Sequence, residues 1–582
     1  MRSQAQLSLL FLGAMGAALA QPVIRPNSVV NAASYLQAGL PNHGIAQGGM
    51  FILKGQGLGA RGTVVANSFP LQTSMGGTSM TITVAGGVVK PLMVYVVAGQ
   101  VSDQFGPFDQ LAGIVPSTTP VGTGTITVTY NGQTSAPASI TIVRSVFGIF
   151  TINQGGTGPG VFTNTNFRVS TLVAPAQPGD LLFIWGTGLG PIQTSDAGAP
   201  PVGNLDVPVE VYVGNAKADI SYKGRSGCCA GIDQILFTVP SGVQGCFVPV
   251  VVKTANIASN STTLSVAAAG TVCSDPGGFS ASELQKAQTG ERITIADINL
   301  QRFIGTMSLP GIGTVQGAMD QGEGHFRRYQ PGSILGSTRG SIAGFAGGRP
   351  SVGCVVFPFG AEPDLFDNVG ADVSDPVWKK EIDAGPALNI TGPAGVRRLP
   401  RQGSSDTYFS YSLPDDTPLG GGFPPLIPAT PEYLTAGSYT VDNGSGSSDV
   451  GPLTASLTIP SSAIAWSNHE ALSTISRAQD LTVTWTGGAS GLVLIEGSSA
   501  NPSTQAGAGF QCVAPANAGT FTVPAWVLSA LPASAPASDI PAPAGFLMVG
   551  TTLNSPSRFQ ARGVDAGYFN WSVLQIKNVN FQ

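Results

Sequence analysis

Along most of this chain, apolar and polar residues alternate in short runs that end at glycine, proline or Asn-Gly. Thr78 to Val84 reads Thr-Ser-Met-Thr-Ile-Thr-Val and Gly124 to Tyr130 reads Gly-Thr-Ile-Thr-Val-Thr-Tyr. A period of two predicts strands with one face buried. Asn131-Gly132 follows at once, the strongest short hairpin signal. Lys90 to Val97 and Ser139 to Val143 complete a first set of strands. A second set comprises Val207 to Val213 with a Gly214-Asn215 turn, Asp233 to Val239 stopped by Pro240, and Phe247 to Val252 returning as Thr262 to Ala267. One short helix is expected in the linker that follows, where Ser280-Ala281-Ser282-Glu283 forms a capping box and Gly290 a stop.

Two glycine-rich stretches head these sets: Gly55-Gln56-Gly57-Leu58-Gly59 and Gly186-Thr187-Gly188-Leu189-Gly190. Each follows an apolar run, Met50 to Leu53 and Leu181 to Ile184. They lie roughly 130 residues apart, a period that predicts two tandem β modules. About seven short strands per module predicts an immunoglobulin-like sandwich. A phosphate cradle would need a helix to start after the glycines, so that free N–H groups face the anion. Ala60-Arg61-Gly62 and Pro191-Ile192 open no helix, so the glycines read as tight turns.

Together with Val30-Asn31-Ala32-Ala33-Ser34-Tyr35, Pro70 to Gly77, Gly148-Ile149-Phe150-Thr151 and Pro191, these motifs resemble the TIG/IPT family of immunoglobulin-like modules. More closely, the stretch from Val23 to Ala269 resembles the uncharacterised Solibacter C-terminal domain family of exported bacterial proteins. The resemblance implies a fold, export, and a binding or structural role; it implies no reaction.

The second half shows no repeat of these modules. Strands are expected at Arg292 to Phe303, Val352 to Phe357, Tyr408 to Ser412, Gly437 to Val441, Leu453 to Ile459, Leu481 to Trp485, Leu492 to Ile495, Gly519 to Val523, Phe546 to Thr551 and Phe569 to Ile576. Pro414 to Pro431 and Pro532 to Pro543 read as long connections. The expected plan is all-β: a signal peptide over 1–20, immunoglobulin-like modules over 21–145 and 146–270, a linker over 271–290, then one or two further β-sandwich domains divided as 291–390 and 391–582.

Composition supports this plan and narrows the partners. The chain holds 78 glycines and 44 prolines in 582 residues, with 10% charged and 42% hydrophobic residues. Disordered chains are far poorer in apolar residues. A net charge of −5 gives no basic footprint, so nucleic acid is not an expected partner. Arg2, the apolar run Leu7 to Ala18 and Ala18-Leu19-Ala20 read as a secretory signal and its cleavage site. No transmembrane segment is expected after its removal. Six cysteines in an exported chain predict disulfides. Folding about the Asn256–Asn260 turn brings Cys246 towards Cys273. Cys354 and Cys512 would tie the second half together. Cys228 and Cys229 either bridge each other or reach elsewhere. The spacing of Cys228, Cys229, Cys246 and Cys273 lacks the close cysteine pair typical of zinc sites.

Candidate chemistry is sparse. His469-Glu470 begins like a metalloprotease helix but lacks the second histidine one turn on. His325, with Glu323 two residues before it, could form a general base and its orienting carboxylate; the plainer reading is a polar loop or strand edge. Glu362, Asp364, Asp367, Asp372 and Asp375 form one oxygen-rich stretch, and Asp442 to Asp449 forms another. Both are candidates for structural Ca²⁺, although neither matches the twelve-residue calcium loop. Trp378, beside Lys379-Lys380-Glu381, is the tryptophan expected on the surface, where an aromatic ring can stack on a sugar; Trp485 alternates into the core. These readings favour a non-enzymatic, exported binding, adhesion or structural protein for glycan or protein partners at the cell envelope or outside it. The alternative is a secreted glycan- or peptide-active hydrolase with its site in the second half.

Overall fold

The computed structural model describes residues 21–582 apart from 103–105, 153, 274–279, 281, 284–285, 287–292, 310–312, 330–352, 360–379, 406–407, 414–431, 462, 489, 502–503, 505 and 535–544. The expected signal segment, Trp378 and the stretch holding Glu362, Asp364, Asp367, Asp372 and Asp375 lie outside the described residues.

The fold is all-β. In the first module one sheet runs Val23–Ile24, Met50–Gln56, Gly106–Ile114, Leu92–Ser102, Gly62–Val65. The facing sheet runs Ile45–Ala46, Ala138–Val143, Gly122–Tyr130, Thr78–Val84, Ser74–Met75. Alternation puts Phe51, Leu53, Ile82, Leu111, Ile126 and Ile140 between them. Asn131 and Gly132 both take positive φ, 49° and 77°, and Tyr130 pairs with Gln133 across them. That is the turn whose twist matches the strands it joins.

The second module repeats the plan. Gly148–Ile149, Leu181–Thr187, Asp233–Thr238 and Ile220–Arg225 form one sheet. Gly158–Pro159, Thr262–Val266, Gly245–Thr254, Val209–Val213 and Ala216–Ala218 form the other. Because Gly245 registers with Val266, Cys246 meets Cys273 and the two are bonded. The link spans 27 residues, which in a chain-entropy picture is worth about 3.5 kcal/mol.

The two glycine turns do the same work in both modules. Ile24 pairs with Gly55 and Ile149 with Gly186. A Cβ on Gly55 would lie 2.1 Å from the Val23 carbonyl oxygen, and one on Gly186 2.2 Å from that of Gly148. Only glycine lets these strands approach. The chain then folds over a buried aspartate: the Leu58 amide donates to Asp109 (2.7 Å) and the Leu189 amide to Asp233 (2.8 Å). The Leu58 and Leu189 amides, which a phosphate cradle would need free, are thus occupied by the protein's own carboxylates.

The modules are joined by a buried polar seam. Arg225 donates to Asp233 at 2.5 Å and to the Gly190 carbonyl at 2.8 Å, with Asp196 at 3.8 Å. Asp196 accepts from the backbone and hydroxyl of Ser117 in the first module at 2.6 and 2.9 Å. The Met50 amide donates to Thr187 at 2.8 Å, and the Leu71 amide to the Ala197 carbonyl at 2.8 Å. Burial pushes the Asp233 carboxyl up although Arg225 and two amides pull it down.

In the second half a single sheet of 14 strands runs without a break from Gly353–Phe359 to Thr454–Ile459. Its centre is Val564–Asn578, Ile293–Leu309 and Gly313–Tyr329, the first two parallel and the last two antiparallel. The division expected between 390 and 391 therefore falls inside one hydrogen-bonded sheet. Two cores form on it. One gathers Ala296, Ile298, Phe326, Leu388, Tyr439 and Phe569. The other gathers Trp485, Val493, Phe510, Trp526, Leu547 and Phe581, and takes in Leu36 and Leu40 from the first module and Val251 from the second. The Cys354–Cys512 disulfide links register partners in this sheet.

Candidate functional site

His325 does not lie in a loop or at an edge. It sits inside Gly313–Tyr329, the central strand, opposite Asp297. Its side chain is 8% exposed. Both ring nitrogens are engaged: Nδ1 with Glu381 at 3.1 Å and Nε2 with Glu323 at 2.8 Å. Glu381, 1% exposed, also accepts from Arg327 Nε at 2.8 Å and from the Phe326 amide at 3.2 Å. Burial alone would push the imidazole down, but the hydrogen bonds to Glu323 and Glu381 and the Asp297 charge outweigh it and lift the pKa to about 9. The same contact with His325 holds Glu323 below the usual carboxylate range, while burial raises Asp297. A general base must be neutral near working pH and must offer a free nitrogen. With its pKa lifted to about 9 and both ring nitrogens held by carboxylates, His325 ties Lys380–Glu381 to the central strand as an ionic clasp.

The other candidates are dispersed. His469 lies in a short 3₁₀ turn, His469–Ala471, beside Glu470 (3.1 Å) and edge-on to Trp466 (4.8 Å). Asp442 accepts from Asn389 Nδ2 and the Gly444 amide, both at 2.9 Å, and Asp449 accepts from the Asp383 amide at 3.3 Å. The Gly444 bond shapes a turn, while the Asn389 bond ties paired strands and the Asp383 bond joins segments far apart in the chain. Among the described residues no group of three or more His, Cys, Asp or Glu side chains is placed to hold a metal ion. All six cysteines are disulfide-bonded, including Cys228 to Cys229. Trp485, Trp466, Trp526 and Trp571 are buried.

An aromatic face that sequence reasoning missed lies on the second module. In Leu181–Thr187, Leu182 and Ile184 point into the sandwich, so Leu181, Phe183 and Trp185 point out. The neighbouring strand Phe162–Asn164 ends in a tight turn. The Asn164 side chain accepts from the amides of Asn166 and Arg168, both at 3.0 Å, and its carbonyl accepts from the Phe167 amide at 2.9 Å. This turn holds Phe167 at φ 60°, a conformation that bulky L residues rarely adopt. Phe167 is 63% exposed, yet its ring lies parallel to Phe183, with centroids 5.9 Å apart and planes 7° apart. Trp185 stands 6.1 Å away, its Nε1 donating to Thr163 at 2.8 Å. Register places Val169, Thr163, Phe183 and Leu236 in one row across the sheet. The result is an open aromatic surface of two parallel rings with Trp185 tilted 56° to Phe167, its one indole donor already satisfied.

No protein-family model matches the chain, so the Solibacter likeness remains one of motifs, and no curated protein matches it by sequence. Among solved structures, domains A168–A170 of titin match at 10% identity and a TM-score of 0.12, covering 72% of this chain and 91% of theirs. Domains 4–9 of the surface-layer protein SbsC match at 11% and 0.12, covering 78% and 50%. The Yersinia pseudotuberculosis adhesin InvE matches at 12% and 0.12, covering 38% and 56%. Chains with TM-scores this low do not share one overall arrangement; the fold rests on the strand pairing above.

Proposed function

We propose that this is an exported binding protein of the cell envelope or extracellular space, related to the Solibacter-type modules its motifs resemble. In this reading the second module offers the Phe167–Phe183–Trp185 face to a glycan, and the rest of the chain is the scaffold that presents it. One observation carries the reading: Phe167 is kept exposed in a costly backbone conformation and stacked on an outward-facing ring. Non-glycine residues held in such conformations cluster at functional sites. Burial cannot be the reason, because the ring stays in water. Flat apolar rings at the surface suit the apolar face of a pyranose. The leader-like pattern of residues 1–20 and three disulfides support export. The test is a glycan array with the whole mature chain, followed by titration of any hit against Trp185→Ala and Phe167→Ala. Saturable binding weakened tenfold or more by either change supports the proposal. Absence of any glycan hit, or binding indifferent to both changes, refutes it.

A further inference from the structure

The three disulfides are not alike. Cys246, Cys273, Cys354 and Cys512 are buried, and their bonds close stretches of 27 and 158 residues. Cys228 and Cys229 are neighbours in sequence, with Cys228 exposed and Cys229 half-buried. A bond between adjacent residues closes no chain loop, so it removes almost no freedom from the unfolded chain and does not serve stability in that way. Its loop is nonetheless firmly held. The Ser226 amide donates to the Ile232 carbonyl at 2.9 Å, and the Cys229 amide to Ser226 Oγ at 3.2 Å. The same loop is seated on the first module: Ala230 and Ile232 pack with Met50 and Ile114, and the Gly231 carbonyl accepts from Thr187 at 2.6 Å. A Cβ on Gly231 would lie 2.8 Å from Ile114. A rigid backbone therefore presents an accessible disulfide at the joint between modules.

We infer that Cys228–Cys229 is a thiol–disulfide exchange site that takes two electrons from an extracellular dithiol. A thiolate of the dithiol attacks one sulfur and forms a new S–S bond. The Cys228–Cys229 bond breaks, and its electron pair leaves on the other sulfur, which takes a proton from water. The second thiol of the reductant then displaces the mixed disulfide, so the dithiol is oxidised and the protein pair reduced. When Cys228 is the leaving group, Ser226 Oγ lies 3.6 Å from its sulfur and can donate to the thiolate. Exposed disulfides are the labile ones, and buried ones resist exchange.

The experiment uses the whole mature chain in native buffer with dithiothreitol, quenched by iodoacetamide and read by peptide mass spectrometry. Cys228 and Cys229 are expected to be alkylated on the order of tenfold or more faster than the other four. One dithiol should be consumed per chain in this fast phase, and none in it by the Cys228→Ser/Cys229→Ser variant. If that variant does not fold, the wild-type alkylation order still decides. Reduction of Cys228–Cys229 no faster than either buried pair overturns the inference.

Discussion

The ionic clasp around His325 gives a pH dependence whose sign is fixed by the contacts. Glu323 and Glu381 bond the two ring nitrogens, Asp297 adds a third carboxyl, and Arg327 opposes them. The imidazole rises from an ordinary 6.5 to about 9 on folding. The folded protein then holds this proton more tightly than the unfolded chain. Its contribution is complete below about pH 6.5 and is lost as pH rises through 9. A rise of that size corresponds to about 3 kcal/mol, and the side chain is too buried for solvent to screen much of it. Histidine-specific deuterium exchange by mass spectrometry reads each ring separately. It should place His325 near 9, and His43, which burial pushes down, below 6.5. Denaturant unfolding of wild type and His325→Gln at pH 7 and pH 10 isolates the energy from other groups that titrate in that range. The stability gap should shrink by about 2.5 kcal/mol between pH 7 and pH 10. A His325 pKa at or below 6.5, or a gap that does not change between the two pH values, refutes the reasoning.

Other outcomes follow from the same structure. Gly55→Ala and Gly186→Ala each drive a Cβ into a carbonyl oxygen and should each cost about 2 kcal/mol or more, measured as a fall in the denaturant midpoint. Asp233→Asn removes the carboxylate bonded to the buried Arg225 and leaves it only Asp196 at 3.8 Å, so a loss of about 3 kcal/mol is expected in thermal or denaturant melts, together with faster proteolysis at the module joint. Removing Cys354–Cys512 with a double alanine change should cost about 2–5 kcal/mol, whereas the same change at Cys228–Cys229 should move stability by less than about 1 kcal/mol. Phe167→Gly accepts the positive φ without strain, so it should fold at least as stably as wild type while losing the stack on Phe183.

What could be read from sequence was whatever is local. Thr78–Val84, the Asn131-Gly132 turn and the hairpin that carries Cys246 to Cys273 depend on neighbouring residues, and alternation with turn chemistry reveals them. The glycines at 317, 322 and 324 break the alternation of Gly313–Tyr329, so the sequence reads His325 as part of a polar loop or strand edge. Its partner Glu381 is 56 residues away, beyond any spacing argument. The parallel pairing of Ile293–Leu309 with Val564–Asn578 has no local mark either. The aromatic face escaped for a different reason. Leu181 to Trp185 is apolar at every position, so a period of two cannot say which side faces water. The packing of Leu182 and Ile184 into the core, visible in three dimensions, identifies the outer side, and the turn at Phe167 lays a ring on it.

The place of Val564–Asn578 in the middle of the large sheet bears on how the chain is made. Residues 293 to 309 emerge from the ribosome early but must wait for a neighbour more than 250 positions later before that edge is covered. The two leading modules can close while synthesis continues; the second half cannot. Until then it carries an unpaired strand edge, the kind of surface that holdase chaperones bind and that aggregates when left alone. Chaperone supply should therefore limit yield through the second half, whereas the leading pair of sandwiches should accumulate readily.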